Sequence, residues 1–127
     1  MSRRDAAWLA DILTAIDAIR DYLAEGNLDQ GVVYDACRAR LIEIGEAVKN
    51  IDPSLLASAP TIRWRAIARM RDQLAHHYFD TDHAIVEYVV HEELAPLRAA
   101  VVALAERAAA RNAEASGSEP PAPEPDV

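Results

Sequence analysis

Within eight residues of this chain, Arg71, His76 and Tyr78 bring together a permanent cation, a titratable imidazole and a phenol. They lie in the run Met70-Arg71-Asp72-Gln73-Leu74-Ala75-His76-His77-Tyr78-Phe79-Asp80-Thr81-Asp82. A guanidinium holds a phosphate through paired N–H donors at any working pH. An imidazole gives or takes a proton near neutrality. Together they are the two groups that metal-free cleavage of a phosphodiester needs. Asp72, directly after Arg71, can orient its fork while lowering the local positive potential. Taken singly, each residue has an ordinary reading: an exposed arginine is usually just solvated, and a histidine near a helix end often caps or packs. Their fixed order is what singles them out.

The spacing also constrains how the groups can meet. Positions 71 and 78 are seven apart and share a helix face, whereas 71 and 76 are five apart, about 140° around an ideal helix. Arg71 and His76 therefore cannot converge on one phosphate from a single straight helix. Either the helix ends or bends near His76, or two copies of the motif meet across a twofold axis. In the second case a homodimer becomes a requirement of the chemistry.

Nearly every segment that could position these residues has the helical period. Leu9, Ile12, Leu13, Ile16, Ile19 and Leu23 recur at three and four, which predicts a helix from about Asp5 to Glu25, stopped by Gly26-Asn27. Asp29 reads as the cap of a second helix over Gln30 to Asn50, with Val33, Cys37, Leu41, Ile44 and Val48 as its stripe. Inside it, Gly45 costs about 1 kcal/mol relative to alanine, which points to a close helix–helix crossing. The adjacent Glu46 could pair with Arg71, although Glu43 and Glu46 could equally be surface acids. Asp52-Pro53-Ser54 caps a short helical turn through Ala57, and Pro60-Thr61 opens the helix that carries Ile62, Ile67, Met70 and Leu74. Asp80-Thr81-Asp82 reads as a turn and a cap before Ile85, Val86, Val89 and Val90. Pro96 predicts a break near Glu93 to Ala95 and a last helix to about Arg111. The fold class is all-α, an antiparallel bundle of four to five helices.

Composition divides the chain into a helical domain, residues 1–111, and an acidic, proline-rich tail, residues 112–127, expected to be disordered. The formal charge of -8 weighs against a general nucleic-acid binder, but four of the acids lie in the tail. Between Thr61 and Phe79, four arginines face one acid, so a phosphate would be met by a local positive patch. Cys37 is the single cysteine, which rules out an intrachain disulfide and fits a reducing cytoplasm. Neither a signal peptide nor a membrane span is expected.

The order Arg-x4-His-x-Tyr formed by Arg71, His76 and Tyr78 resembles the signature of the HEPN superfamily, in particular its HepT-like toxins. The string Ile44-Gly45-Glu46-Ala47 and the run Tyr78-Phe79-Asp80-Thr81-Asp82 are similar to the corresponding HepT segments, and the likeness spans roughly Ala7 to Leu97. The resemblance implies a HEPN-like bundle and a metal-independent endoribonuclease, with transfer RNA as its substrate. Arg71 and His76 would be catalytic, and Asp72 and Glu46 would support them. It also implies a partner, a nucleotidyltransferase antitoxin that silences the toxin by adenylylating Tyr78. Asp72 departs from the family pattern, where a small polar residue, most often Asn, follows the arginine.

Metal chemistry is the rival reading. His76, His77, Asp80, Asp82 and His83 crowd one stretch, and Glu43, Glu46, Glu87 and His91 lie on other helices. A di-iron bundle needs Glu-x-x-His, which is absent, since Glu87 and His91 are one residue too far apart. No cofactor or metal is therefore expected. The alternative of another class is a non-catalytic helical module that binds nucleotide or protein, with Arg71 as a phosphate anchor.

Overall fold

A computed structural model describes residues 1–76 and 79–118. They form α1 (Arg3–Glu25), α2 (Gly31–Asn50), the short α3 (Pro53–Leu56), α4 (Trp64–Ala75), α5 (Phe79–Tyr88) and α6 (Leu94–Ser118). A single π-helical turn, Val89–Glu93, joins α5 to α6. No strand occurs among these residues, so the all-α expectation holds. No helix is long and apolar enough to cross a membrane.

The bundle is built on α1. Its apolar stripe Leu9, Ile12, Ile16 and Ile19 is fully buried, packing on α2 at one side and α6 at the other. α4 also packs on α2 and buries Ile67, Met70 and Leu74. Burial of each such side chain contributes roughly 1.5–3 kcal/mol, which is why a continuous stripe fixes the packing. Arg98 on α6 donates to Asp17 on α1 at 3.0 Å, and this bond holds the Asp17 carboxyl below its usual range.

Several element ends differ from the sequence expectation, each for a local reason. α1 begins two residues early because Ser2 and Asp5 form a reciprocal capping box. α2 is not capped by Asp29. Its N-cap is Gln30, which has no side-chain capping bond; the Gln30 side chain instead accepts from the Asn27 amide at 2.9 Å. Asn27 in turn accepts from the Asp29 amide at 2.9 Å, so the turn is organised two residues upstream. α4 starts at Trp64, not at Pro60-Thr61, because the indole N–H reaches back to the Ala59 carbonyl at 3.0 Å and curls the intervening residues into a turn.

Asp80, Thr81 and Asp82 lie in the first turn of α5, where two carboxylates suit the positive end of the helix. The expected break at Pro96 is absent. The π turn passes directly into α6, with the Leu94 amide bonded to the Val89 carbonyl. Proline donates no amide bond and its ring crowds the carbonyl four residues back; a widened preceding turn accommodates both effects without ending the helix. α6 then runs to Ser118, beyond the expected end near Arg111, through Ala113 and Glu114, which are good helix formers. Residues 119–127 of the tail lie outside the described residues.

Asp5 also fastens the start of α3. Its buried carboxylate accepts from the Ser2 amide at 3.4 Å and from the Asp52 amide at 3.1 Å. Asp5→Ala should therefore cost more than the loss of a cap alone, about 2 kcal/mol against about 1 kcal/mol for Ser2→Ala. Urea unfolding of the two variants compares them directly.

Candidate active site

α2 and α4 approach so closely at Gly45 that no side chain fits between them. A Cβ at this position would stand 2.7 Å from the Arg71 Cβ, 3.1 Å from the Ile67 carbonyl oxygen and 3.2 Å from the Arg71 amide nitrogen. Two of those neighbours are α4 backbone and cannot swing aside. The crossing expected from the lone helical glycine is present, and the residue it sits against is Arg71.

The same crossing determines what the Arg71 guanidinium touches. Glu46, the next residue on α2, brings its Oε2 to 2.6 Å from Arg71 Nε. This is a close ionic contact without a well-aligned hydrogen bond, and Glu46 Oε2 has no other donor. Asn50 donates to Glu46 Oε1 at 3.3 Å and steadies that carboxylate. Arg71 Nη1 donates to Asp72 at 3.2 Å. The pairing of Arg71 with Glu46 and Asp72 is thus realised in one cluster. The Arg71 side chain is 37% exposed, enough to meet a ligand.

A groove of about 490 Å³ opens beside it, lined by Trp8, Asp11 and Thr14 of α1, Arg40, Ile42, Glu43 and Glu46 of α2, and Arg71. Arg40 is held along its wall, donating from Nε to the Tyr22 hydroxyl oxygen at 3.1 Å and from Nη1 to Glu43 at 3.0 Å. Two guanidiniums, an indole and the carboxylates of Asp11, Glu43 and Glu46 therefore line one opening.

His76 is the residue at which α4 stops. It is the exposed C-cap, with φ -89° and ψ 0°, and its amide bonds to the Gln73 carbonyl at 3.4 Å. Of the two geometries open to the motif, the helix does end beside His76. Arg71 and His76 share no hydrogen bond or ion pair among the described residues. Tyr78 and His77 lie outside the described residues.

Two residues that the motif does not contain reach this turn. Arg38 on α2 donates from Nη2 to the carbonyl of Leu74, and its Nε lies 3.7 Å from Asp82 Oδ2. Asp82 is buried. One turn before Arg38, Tyr34 stacks in parallel on His83, with ring centroids 5.0 Å apart. Burial, followed by the charge of Asp82, raises the Tyr34 phenol above its ordinary pKa. Sequence reading passed over Arg38 because nothing local marks it, and took Asp82 for a turn residue.

Potential metal donors come together elsewhere. Asp29, His83 and Glu87 place ligand atoms within 4.8 Å of one another, a set that includes neither His76 nor a residue of α4. Among the described residues no other candidate of the metal reading joins them, and His77 lies outside those residues.

Comparison with known proteins gives a consistent picture. A family model described as "Ribonuclease HepT-like" matches residues 12–104. A Thermococcus cleftensis protein named "probable ribonuclease HepT" is 36% identical over 103 residues, 77% of this chain and 93% of its own length. A Methanocaldococcus jannaschii protein named "putative RNase" is 33% identical over 95 residues, 71% of this chain and 78% of the relative. No solved structure matches the chain.

The crossing yields a direct check. Alanine ordinarily improves a helix by about 1 kcal/mol over glycine, yet overpacking costs about 1–3 kcal/mol. Gly45→Ala should therefore lower unfolding stability in urea; a stabilised variant would show that the helices do not meet there as tightly as the distances indicate.

Proposed function

Because the chain belongs to the ribonuclease HepT-like family, we propose that it is the toxin of a toxin–antitoxin pair, cutting transfer RNA in the cytoplasm. Family membership makes it an RNA endonuclease. The observation that carries the finer reading is the arrangement on α4. A guanidinium steadied by Glu46 and Asp72 stands at an open groove, and an exposed imidazole stands at the end of the same helix.

In the proposed reaction the ribose 2′-hydroxyl attacks the adjacent phosphorus. The P–O5′ bond breaks, leaving a 2′,3′-cyclic phosphate and a 5′-hydroxyl. His76 takes the 2′-hydroxyl proton or delivers one to the departing O5′. Arg71 stabilises the negative charge that builds on the phosphate oxygens. Glu46 and Asp72 act through Arg71, fixing the plane of its fork. No step requires a metal or a cofactor. The end of α4 at His76 realises one of the two ways in which the motif could bring these groups together; the other, a homodimer with both motifs at its seam and each copy completing the other's cleft, remains part of the proposal.

Control would act on Tyr78. The family resemblance makes its phenol the acceptor for adenylate transferred by a nucleotidyltransferase antitoxin; α4 ends at Ala75, so the helix face shared with Arg71 that the seven-residue spacing predicts is not formed by this helix. The added nucleotide fills the cleft and brings a negative charge that competes with RNA for Arg71.

Arg71→Ala and His76→Ala should each lower RNA cleavage by purified protein about 10²–10⁴-fold, the usual effect of removing a positioned acid–base or charge-stabilising group. A His76→Ala enzyme that cuts at the wild-type rate would remove the mechanism. For control, incubation with ATP and a nucleotidyltransferase partner should add mass in steps of about 329 Da, one adenylate each, and abolish cleavage while the dimer persists. Tyr78→Phe should lose the mass step and keep its fold. Adenylate on another residue, with Tyr78 bare, would show that the acceptor is misassigned.

A further inference from the structure

The short segment between α4 and α5 carries His76, and both of its ends meet one guanidinium. At the α4 end, Arg38 donates to the carbonyl of Leu74 in the last turn of that helix. At the α5 end, Asp82 Oδ2 lies 3.7 Å from Arg38 Nε. The Asp82 side chain is only 4% exposed, and its Oδ1 has no hydrogen-bond partner among the described residues. A buried carboxylate in that position costs stability unless a cation stands against it, and Arg38 is a cation that does so. The signs also suit the helices, a cation at the negative end of α4 and a carboxylate at the positive end of α5.

Neither residue faces the groove that holds Arg71, so neither is placed to touch RNA from there. Both come from outside the segment they fasten: Arg38 sits on α2, the helix that also supplies Gly45 and Glu46 to Arg71. One helix therefore sets the position of the phosphate-binding group and of the turn that bears the imidazole. Tyr34, stacked on His83, adds a second tie between the same two elements.

We propose that Arg38 and Asp82 are positioning residues for RNA cleavage: the Leu74–Arg38–Asp82 bridge fixes where the His76 imidazole stands relative to Arg71. This rests on the reading of His76 as the proton-transfer group. A displacement of about 1 Å at a reacting group is enough to cost on the order of 10²-fold in turnover. Substrate binding through Arg71 would be spared, so the loss falls on kcat and not on KM.

Removing Arg38 alone would leave Asp82 charged and buried, which endangers folding. The test therefore uses the double variant Arg38→Met with Asp82→Asn, which leaves no unpaired charge, together with Arg38→Lys, which keeps the charge but not the fork. Both are assayed on full-length protein well below the melting temperature, with circular dichroism to establish the fold. The double variant should lose about 10–100-fold in kcat with KM within about twofold, and Arg38→Lys should fall between it and wild type. In parallel, the His76 ring resonances are assigned by comparison with His76→Ala, and they should shift in the double variant. A folded double variant with wild-type kcat, or one whose loss lies wholly in KM, overturns the proposal. So does an unmoved His76 signal. If wild-type protein itself cuts no RNA, the ribonuclease reading fails, and the His76 signal alone then decides whether the bridge positions the imidazole.

Discussion

The absence of a Cβ at position 45 is the constraint on which the site depends. α2 and α4 can only cross at this distance because Gly45 leaves the space that the Arg71 backbone and Cβ occupy. Once the helices are that close, the side chain following Gly45 has little choice. Glu46 meets the Arg71 guanidinium and fixes one face of it. The glycine weakens the helix in which it sits, and the packing gained across the crossing offsets that loss. Arg71 is thus held from two sides, by backbone proximity at its root and by carboxylates at its tip.

Those carboxylates create a tension. Glu46 and Asp72 together outweigh the single charge of Arg71, so the site is not a strongly attractive field for a polyanion. Its attraction must come from geometry: a partly exposed Arg71 guanidinium held at the groove, and Arg40 along the wall of the same groove. Fixing a guanidinium in advance reduces the rotamer freedom lost when phosphate binds. The chain's overall negative charge is compatible with this arrangement, because recognition is set within a few ångströms and beyond about 10 Å is screened.

How much of this was legible in the sequence depends on the range of each interaction. The helices, their buried stripes and the crossing at Gly45 follow from spacing within single segments. The pairing of Glu46 with Arg71 was open to inference because a glycine marks where the two helices meet. Arg38 and Asp82 were not legible. They are 44 residues apart, and each alone looks like an ordinary charged helix or turn residue. The start of α4 was misplaced because a tryptophan hydrogen bond to Ala59, invisible to periodicity, overrides a good proline start signal. The uninterrupted passage from α5 to α6 was missed for a similar reason. A π turn accommodates Pro96, and apolar period carries no information about a single widened turn.

The central functional claim is that an arginine and a histidine, without a metal, carry RNA cleavage through attack by the 2′-hydroxyl. The fragment ends report this most directly. Transfer RNA would be cut by the purified protein in excess EDTA, and the terminus of the 5′ fragment identified by mass spectrometry. A 2′,3′-cyclic phosphate, or the monophosphate from its opening, formed at an undiminished rate is the expected result. A 3′-hydroxyl facing a 5′-phosphate, or cleavage abolished by the chelator and restored by a divalent ion, would contradict it.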